Sequence, residues 1–353
     1  MPLDAQLVAA ALQEQLTELN VVGAGVGVRL GDDTATLGAG RCDLRDEPGA
    51  PVDGETLFQV GSISKTFTAT LVVILAERGL LSLDERVLTY LPDFALASAA
   101  TTEALTVRHL LQHTGGWEGD YTLALGAEAG GSDRGAMGRA VAALRGAEVF
   151  APPGKFFSYN NGAFEACGAL VEAVCPGRLY EEVLYEEVIA PLGLTQTFMY
   201  SSADGEGESD LYSPEHAATP GRCTAVGHTL GGSDGKEWVY ADPWYDPMGR
   251  GGYGDGGILC SASDLLAYGS YWLSDDPAPL ALSAAAKRSL VTPTVSAEAR
   301  GSSVGLSWFI SNPWEGSADS AVASFRMFSH VRNNPPTATA APAPAPAPLR
   351  PLS

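Results

Sequence analysis

The sequence predicts a mixed helix-and-sheet protein, α/β in the broad sense. Three observations predict it. An amphipathic helical run leads directly into a pair of strand-like segments of small and β-branched residues. A long apolar stretch, residues 66–78, has helical length and few breakers, and further helical runs follow it. Far downstream, residues 304–310 alternate in the manner of a strand.

Residues 3–20 form the first helix, with Leu12, Leu16 and Leu19 on one face. Residues 23–30 and 34–40 read as a hairpin closed by Gly31-Asp32-Asp33. The apolar helix 66–78 stops at Gly79, and Leu81-Ser82-Leu83-Asp84-Glu85 starts a short element closed by Leu91-Pro92-Asp93. Residues 106–114 form a short helix ending at Gly115-Gly116, and residues 119–138 a looser Gly- and Ala-rich stretch. Pro152-Pro153-Gly154 is a turn, followed by helices over 161–173 and 180–193. Residues 201–257 are rich in Gly, Ser, Asp and Pro and read as long loops. Ser261 then caps an apolar helix running to Leu273. From Asn333 onward Pro, Ala and Thr dominate, and this composition cannot pack a core. The expected organisation is therefore one domain over 1–332 and a Pro/Ala-rich disordered tail over 333–353.

Composition narrows the function classes. With 353 residues, 45% of them hydrophobic, the chain can bury a large core. A formal charge of −21 repels phosphate backbones, so nucleic acid is not an expected partner. The five cysteines, Cys42, Cys167, Cys175, Cys223 and Cys260, form no C-x-x-C pair and are expected to be buried free thiols. The five histidines do not cluster with acids at metal-ligand spacing, so neither metal nor cofactor is expected. Met1-Pro2-Leu3-Asp4 opens no basic and apolar leader, and no run of eighteen apolar residues spans a membrane. A cytoplasmic protein acting on a small-molecule or peptide substrate is the expectation; oligomeric state is not legible.

The chemistry concentrates in two short motifs. Ser62-Ile63-Ser64-Lys65 is an S-x-x-K tetrad where a loop becomes a helix. At i and i+3 the two side chains share a helix face, so the lysine amine can reach the serine hydroxyl. The helix N-terminus favours negative charge developing there. Alone the tetrad has two fixed positions, and a capping serine followed by a surface lysine is its commoner origin. Tyr159-Asn160-Asn161 follows the turn at Pro152-Pro153-Gly154 and opens a helix. A phenol beside an ammonium can shuttle a proton, and an asparagine amide offers both donor and acceptor to a carbonyl. By itself that motif equally describes a core tyrosine and a capping asparagine.

The run Phe58-Gln59-Val60-Gly61-Ser62-Ile63-Ser64-Lys65-Thr66-Phe67-Thr68 resembles the nucleophile segment of the β-lactamase-related serine hydrolases, a family that includes class C β-lactamases, D-Ala-D-Ala carboxypeptidases, other penicillin-binding proteins and family VIII esterases. Further segments resemble it in the same order. They are the run from Leu105 to Gly116, Pro153-Gly154-Lys155-Phe156-Phe157-Ser158-Tyr159-Asn160-Asn161, and Ile189-Ala190-Pro191-Leu192-Gly193-Leu194. The run from Gly256 to Leu265 and Val304-Gly305-Leu306-Ser307-Trp308 complete the set.

The resemblance implies an antiparallel sheet flanked by helices plus a mostly helical subdomain, the β-lactamase/transpeptidase-like arrangement, with the 23–40 hairpin and the 304–310 strand in one sheet. It also implies roles. Ser62 would attack a carbonyl and become acylated, Lys65 would take its proton, and Tyr159 would act with Lys65 as base and acid. Asn161 would bind the substrate amide, and the Ser62 N–H would supply half of an oxyanion hole. The sequence departs from the family after residue 310. A Lys- or His-containing triplet ending in Gly is expected, and Phe328-Ser329-His330-Val331-Arg332 offers only His330 without the glycine. A domain that is incomplete at its C-terminal side is thus expected, and an oxyanion donor is worth about 3–4 kcal/mol of transition-state stabilisation.

Two readings follow. The first is a serine hydrolase acting on an ester, an amide or a β-lactam, with esterase or peptidase ahead of β-lactamase. The alternative is a non-catalytic ligand-binding or regulatory pseudoenzyme with an incomplete oxyanion hole. Two G-x-S-x-G matches, at Gly231–235 and Gly301–305, lack the strand-before, helix-after setting of a nucleophile elbow and are set aside.

Overall fold

The computed structural model describes residues 2–44, 49–119, 133–201, 210–212, 225, 228–231, 237–240, 249–297 and 302–311. Helix α1 (Ala5–Leu19) begins where the Asp4 carboxylate accepts the Gln6 and Leu7 N–H groups, at 2.9 and 3.2 Å, and ends at Asn20 in the left-handed region. Of its expected apolar face only Leu16 is buried; Leu19 is 47% exposed, so the helix touches its neighbours along a narrower line than its leucines suggest. Strands β1 (Gly23–Leu30) and β2 (Asp33–Gly40) pair antiparallel from Gly23↔Gly40 to Leu30↔Asp33, forming the expected hairpin.

A second sheet positions the site. In it β3 (Phe58–Gln59) pairs with β8 (Ile258–Cys260), which pairs with β4 (Thr197–Ser201), which pairs with β5 (Asp210–Tyr212), all antiparallel. Strand β3 leads through the turn Gly61–Ile63 into α2 (Ser64–Glu77). Every residue of α2 from Ser64 to Leu75 is buried, so this helix lies inside the protein, its apolar side chains in the core and its polar ones paired. It packs beside a second central helix, Asn161–Val174, which is buried from Asn161 to Val171. Phe67, Leu71, Ile74, Phe164 and Leu170 of these helices are wholly enclosed, each contributing on the order of 1.5–3 kcal/mol by leaving water. The threonines inside α2 find acceptors: Thr70 Oγ1 donates within the helix to the Thr66 carbonyl at 2.7 Å, and Thr68 Oγ1 donates to the Gly254 carbonyl of another element at 2.7 Å.

Smaller helices surround this pair: Val87–Tyr90, Ala99–Ala104, Val107–Leu111, Ala136–Ala143, Tyr180–Leu184 (continuing as a π turn over Tyr185–Ile189), Ala262–Trp272 and Ala284–Val291. The mixed helix-and-antiparallel-sheet architecture is the expected one, and the 107–111, 161–174 and 262–272 helices fall where expected. Ser261 Oγ accepts the Asp264 N–H at 3.1 Å, the anticipated cap.

Four expectations need correction. Residues 304–310 are not one strand: β10 (Ser302–Val304) turns back at Gly305-Leu306-Ser307-Trp308 and pairs with β11 (Phe309–Ser311). That turn needs Ser307 at φ +69 and places the Gly305 Cα so close to the Leu290 carbonyl that a Cβ would lie 2.3 Å from it. The 23–40 hairpin is not in one sheet with this segment, since β10 and β11 join β9 (Val295–Ser296) in a separate three-stranded sheet. The 201–257 region is not only loop, since β5, β6 (His228–Gly231) and β7 (Glu237–Tyr240) lie in it. Finally, Cys42 is disulfide-bonded rather than a free thiol, while Cys167, Cys175 and Cys260 are free and Cys223 lies outside the described residues. Residues 312–353, including His330 and the Pro/Ala-rich segment, also lie outside the described residues. Among the described residues no helix is long and apolar enough to cross a membrane.

Candidate active site

The β3–β8 pairing sets the position of Ser62. Val60 N–H donates to the Ile258 carbonyl at 3.0 Å, ending the strand two residues before the serine. Gly61 then takes φ +52, a conformation costly for any residue with a Cβ, and the chain turns into the helix. Ser62 is the exposed centre of that turn, while Ser64 and Lys65 behind it are buried. Ser64 Oγ accepts the Ile258 N–H at 3.1 Å, which fastens the first turn of α2 to β8.

Lys65 is 1% exposed, and a buried ammonium is costly unless its donors find acceptors. Its Nζ donates to the Asp255 carbonyl at 2.8 Å, lies 3.5 Å from Asp255 Oδ2 and reaches Ser62 Oγ at 3.2 Å. It also stands 5.1 Å from the Tyr159 ring centroid and 5.7 Å from that of Phe164. Asp255 is carried by the short helix Tyr253–Gly256, which Gly254 allows to approach the central helix: a Cβ at Gly254 would sit 2.1 Å from the Phe164 carbonyl oxygen. From another side Tyr159 donates its hydroxyl to Ser62 Oγ at 2.6 Å.

The Tyr159 segment is fixed by its backbone. Ser158 N–H donates to the His113 carbonyl at 2.8 Å, and Asn161 N–H to the Gly119 carbonyl at 3.0 Å. Asn160 is the helix cap: its Oδ1 accepts the Ala163 N–H at 2.8 Å, and its Nδ2 donates to the Trp117 carbonyl at 3.0 Å. Asn161 begins the helix with its side chain nearly enclosed.

His113 is wholly buried, at φ +55, in a conformation that costs a non-glycine residue about 1–3 kcal/mol and persists only when its surroundings over-determine it. Its Nδ1 accepts the Asn160 N–H at 3.0 Å, so the proton of the neutral ring is on Nε2. Burial, and then the Lys65 charge, pull its pKa down to about 3. Among the described residues no group of three His, Cys, Asp or Glu side chains gathers as a metal site.

Of the residues singled out in the sequence, Ser62, Lys65 and Tyr159 come together, and Asn161 follows Tyr159 at the adjoining helix start. Two residues were missed. Asp255 lies 190 positions from Lys65, within a stretch read as loop; the signal for it was a lone acid inside Gly254-Asp255-Gly256-Gly257. His113 was read only as a helix-end residue, and its sequence carries no sign of the left-handed backbone that turns it inward.

This fold, with an S-x-x-K serine in the turn that leads into a buried helix beside an antiparallel sheet, defines a protein of the β-lactamase and penicillin-binding type. The chain belongs to the beta-lactamase family, which it matches over residues 8–337. It is 32% identical over 263 residues to penicillin-binding protein 4 of Amycolatopsis lactamdurans, covering 74% of this chain and 62% of that one. The chain thus spans less than two thirds of that relative's length. The structure is similar to an octameric penicillin-binding protein homologue from Pyrococcus abyssi, with TM-score 0.68 and 26% identity, over 87% of this chain and 65% of that one. A class C beta lactamase from Rhodobacter sphaeroides shares the fold, with TM-score 0.64 and 24% identity, over 88% and 76% of the two chains. Serine hydrolase chemistry is general to this family.

Proposed function

We propose that the protein is a serine hydrolase that acylates Ser62 with the carbonyl group of an ester, amide or β-lactam. The observation that carries the reading is one exposed hydroxyl held between an amine and a phenol: Ser62 Oγ is 3.2 Å from Lys65 Nζ and 2.6 Å from Tyr159 Oη. Those are the distances over which a nucleophile hands its proton to a base.

In the first half-reaction Ser62 Oγ bonds to the carbonyl carbon while its proton passes to Lys65 Nζ, the lysine entering this step as the neutral amine. Tyr159 relays that proton to the leaving oxygen or nitrogen, and the carbonyl re-forms as the bond to that atom breaks. Water then attacks the acyl-enzyme, giving a proton back through the same pair, and Ser62 leaves with it. The Ser62 N–H, at the unpaired start of a helical segment, serves one side of the developing oxyanion. Asn161 serves the substrate amide. The proposed histidine of the second oxyanion segment, His330, lies outside the described residues.

Within this class we favour esters and peptides, accommodated by the half-exposed Phe309 ring whose centroid lies 6.2 Å from that of Tyr159. The Cys42 disulfide counts against a cytoplasmic setting, because such bonds persist in oxidising compartments, so β-lactams belong in the same comparison. The test is turnover of a nitrophenyl ester, a D-alanyl peptide and a cephalosporin by the wild type and by Ser62→Ala. Ester or peptide turnover abolished in the variant supports the proposal, and faster cephalosporin turnover reverses the preference. Binding without Ser62-dependent turnover of any of the three leaves a ligand-binding protein instead.

A further inference from the structure

We infer that His113 is a positioning residue for the proton-transfer pair, holding Tyr159 against Ser62 by gripping three consecutive residues of its segment through its ring and its own backbone carbonyl. The inference rests on the reading of Ser62 and Tyr159 given above. The His113 carbonyl accepts the Ser158 N–H at 2.8 Å. Its ring stacks on the Tyr159 ring with centroids 4.6 Å apart and planes 23° apart. Its Nδ1 accepts the Asn160 N–H at 3.0 Å.

His113 is itself held rigidly. The Phe164 ring lies 5.0 Å from its own at 32°, and the Phe157 ring 5.7 Å away at 72°. The left-handed backbone at φ +55 turns the side chain inward from the end of the 107–111 helix, where His113 N–H donates to the Leu110 carbonyl at 3.2 Å. Packing alone does not account for an imidazole here. Its Nε2 is buried with no hydrogen-bond partner among the described residues, an unmet cost that a benzene ring of similar size would avoid. What a benzene ring could not supply is the acceptor for Asn160 N–H. That bond fixes the residue between Tyr159 and Asn161, so it sets both the phenol and the helix start.

The position of the phenol matters because proton transfer is steep in distance. A displacement of about 1 Å in a reacting group can cost a hundredfold in rate. The ring contact and the amide bond restrain Tyr159 from two directions, while no contact of His113 with Ser62 is needed. His113 therefore acts through Tyr159 rather than on the substrate.

The experiment compares His113→Phe, which keeps a stacking ring and removes the acceptor, with His113→Asn, whose Oδ1 stands where Nδ1 stood and which tolerates positive φ. Two quantities are read on folded protein: the first-order rate of Ser62 modification by a fluorophosphonate at saturation, and hydrogen exchange at the Asn160 amide. The expected result for His113→Phe is a rate about tenfold to a hundredfold lower, with the half-saturating concentration unchanged and the Asn160 amide exchanging faster. His113→Asn is expected to restore the amide protection and part of the rate. His113→Leu serves as a second acceptor-free variant if His113→Phe does not fold. A wild-type rate per folded molecule in the acceptor-free variants, or unchanged Asn160 protection, overturns the inference. If wild-type Ser62 does not react at all, the hydrolase reading fails, and the exchange comparison still decides whether His113 anchors the segment.

Discussion

Tyr159 Oη lies 2.6 Å from Ser62 Oγ across 97 residues of sequence, and the Lys65 amine lies 3.2 Å from the same oxygen. The serine thus stands between two proton-handling groups carried by two different buried helices, one contributing its first turn and the other the segment leading into it. Phe in place of Tyr159 removes one oxygen and leaves the ring stack on His113 intact. The expected loss in acylation rate is about 10²–10⁴-fold, with stability changed by no more than about 1 kcal/mol. Stopped-flow ester kinetics and a urea melt of Tyr159→Phe check both; an unaltered rate removes Tyr159 from the mechanism.

Asp255 Oδ2 lies 3.5 Å from the buried Lys65 Nζ, and the Asp255 carbonyl accepts from the same amine at 2.8 Å. Asp255→Asn keeps the carbonyl and removes the charge. Breaking a buried ion pair from one side costs about 3–5 kcal/mol, and this pair is long, so the lower end is expected. Denaturant midpoints should also show Lys65→Met/Asp255→Asn losing less than the sum of the two single variants. Strict additivity would mean that the two side chains do not interact.

Gly254→Ala tests whether close helix approach places Asp255. The new Cβ would lie 2.1 Å from the Phe164 carbonyl oxygen and 3.0 Å from its carbon, both backbone atoms, so the 253–256 helix must move outward. The expected cost is about 1–3 kcal/mol, accompanied by a fall in acylation rate as the Lys65 acceptors shift. A melting temperature at the wild-type value would show that the contact is looser than described.

The pH dependence of stability follows from His113. The unfolded chain's histidine binds a proton near its ordinary 6.5, whereas burial, and then the Lys65 charge, hold the folded ring neutral down to about 3. Between those values the unfolded state carries the extra proton, so stability falls as pH falls, by up to about 1.4 kcal/mol per pH unit. Above 6.5 this contribution is complete and flat. Urea midpoints at pH 7, 5.5 and 4.5 should therefore drop more steeply for the wild type than for His113→Asn. Parallel slopes would contradict it.

Much of this was legible in the sequence because it rests on short-range rules. The apolar run at 66–78, Gly79 at φ +73 and the Ser261 cap are local signals, and the corresponding elements formed where the periodicity put them. Ser62 and Lys65 were readable for the same reason, since helix geometry alone brings i and i+3 together. Tyr159 was readable through resemblance, not physics, because nothing in its own neighbourhood announces a partner 97 residues away. Three features escaped. The 304–310 run has strand composition throughout, yet Gly305 and Ser307 permit a reversal that periodicity does not register. Asp255 sits among glycines that look like loop and are in fact the means of close packing. Cys42 bonds outside any spacing pattern, so counting cysteines could not find it.

The central claim is that Ser62 is an activated nucleophile, and labelling the full chain with a serine-reactive fluorophosphonate, followed by peptide mass mapping, tests it most directly. The account predicts a single adduct on the peptide containing Ser62, lost in Ser62→Ala and strongly slowed in Tyr159→Phe. A folded protein that takes no label, or one labelled at Ser303 in β10 while Ser62 stays free, would contradict it.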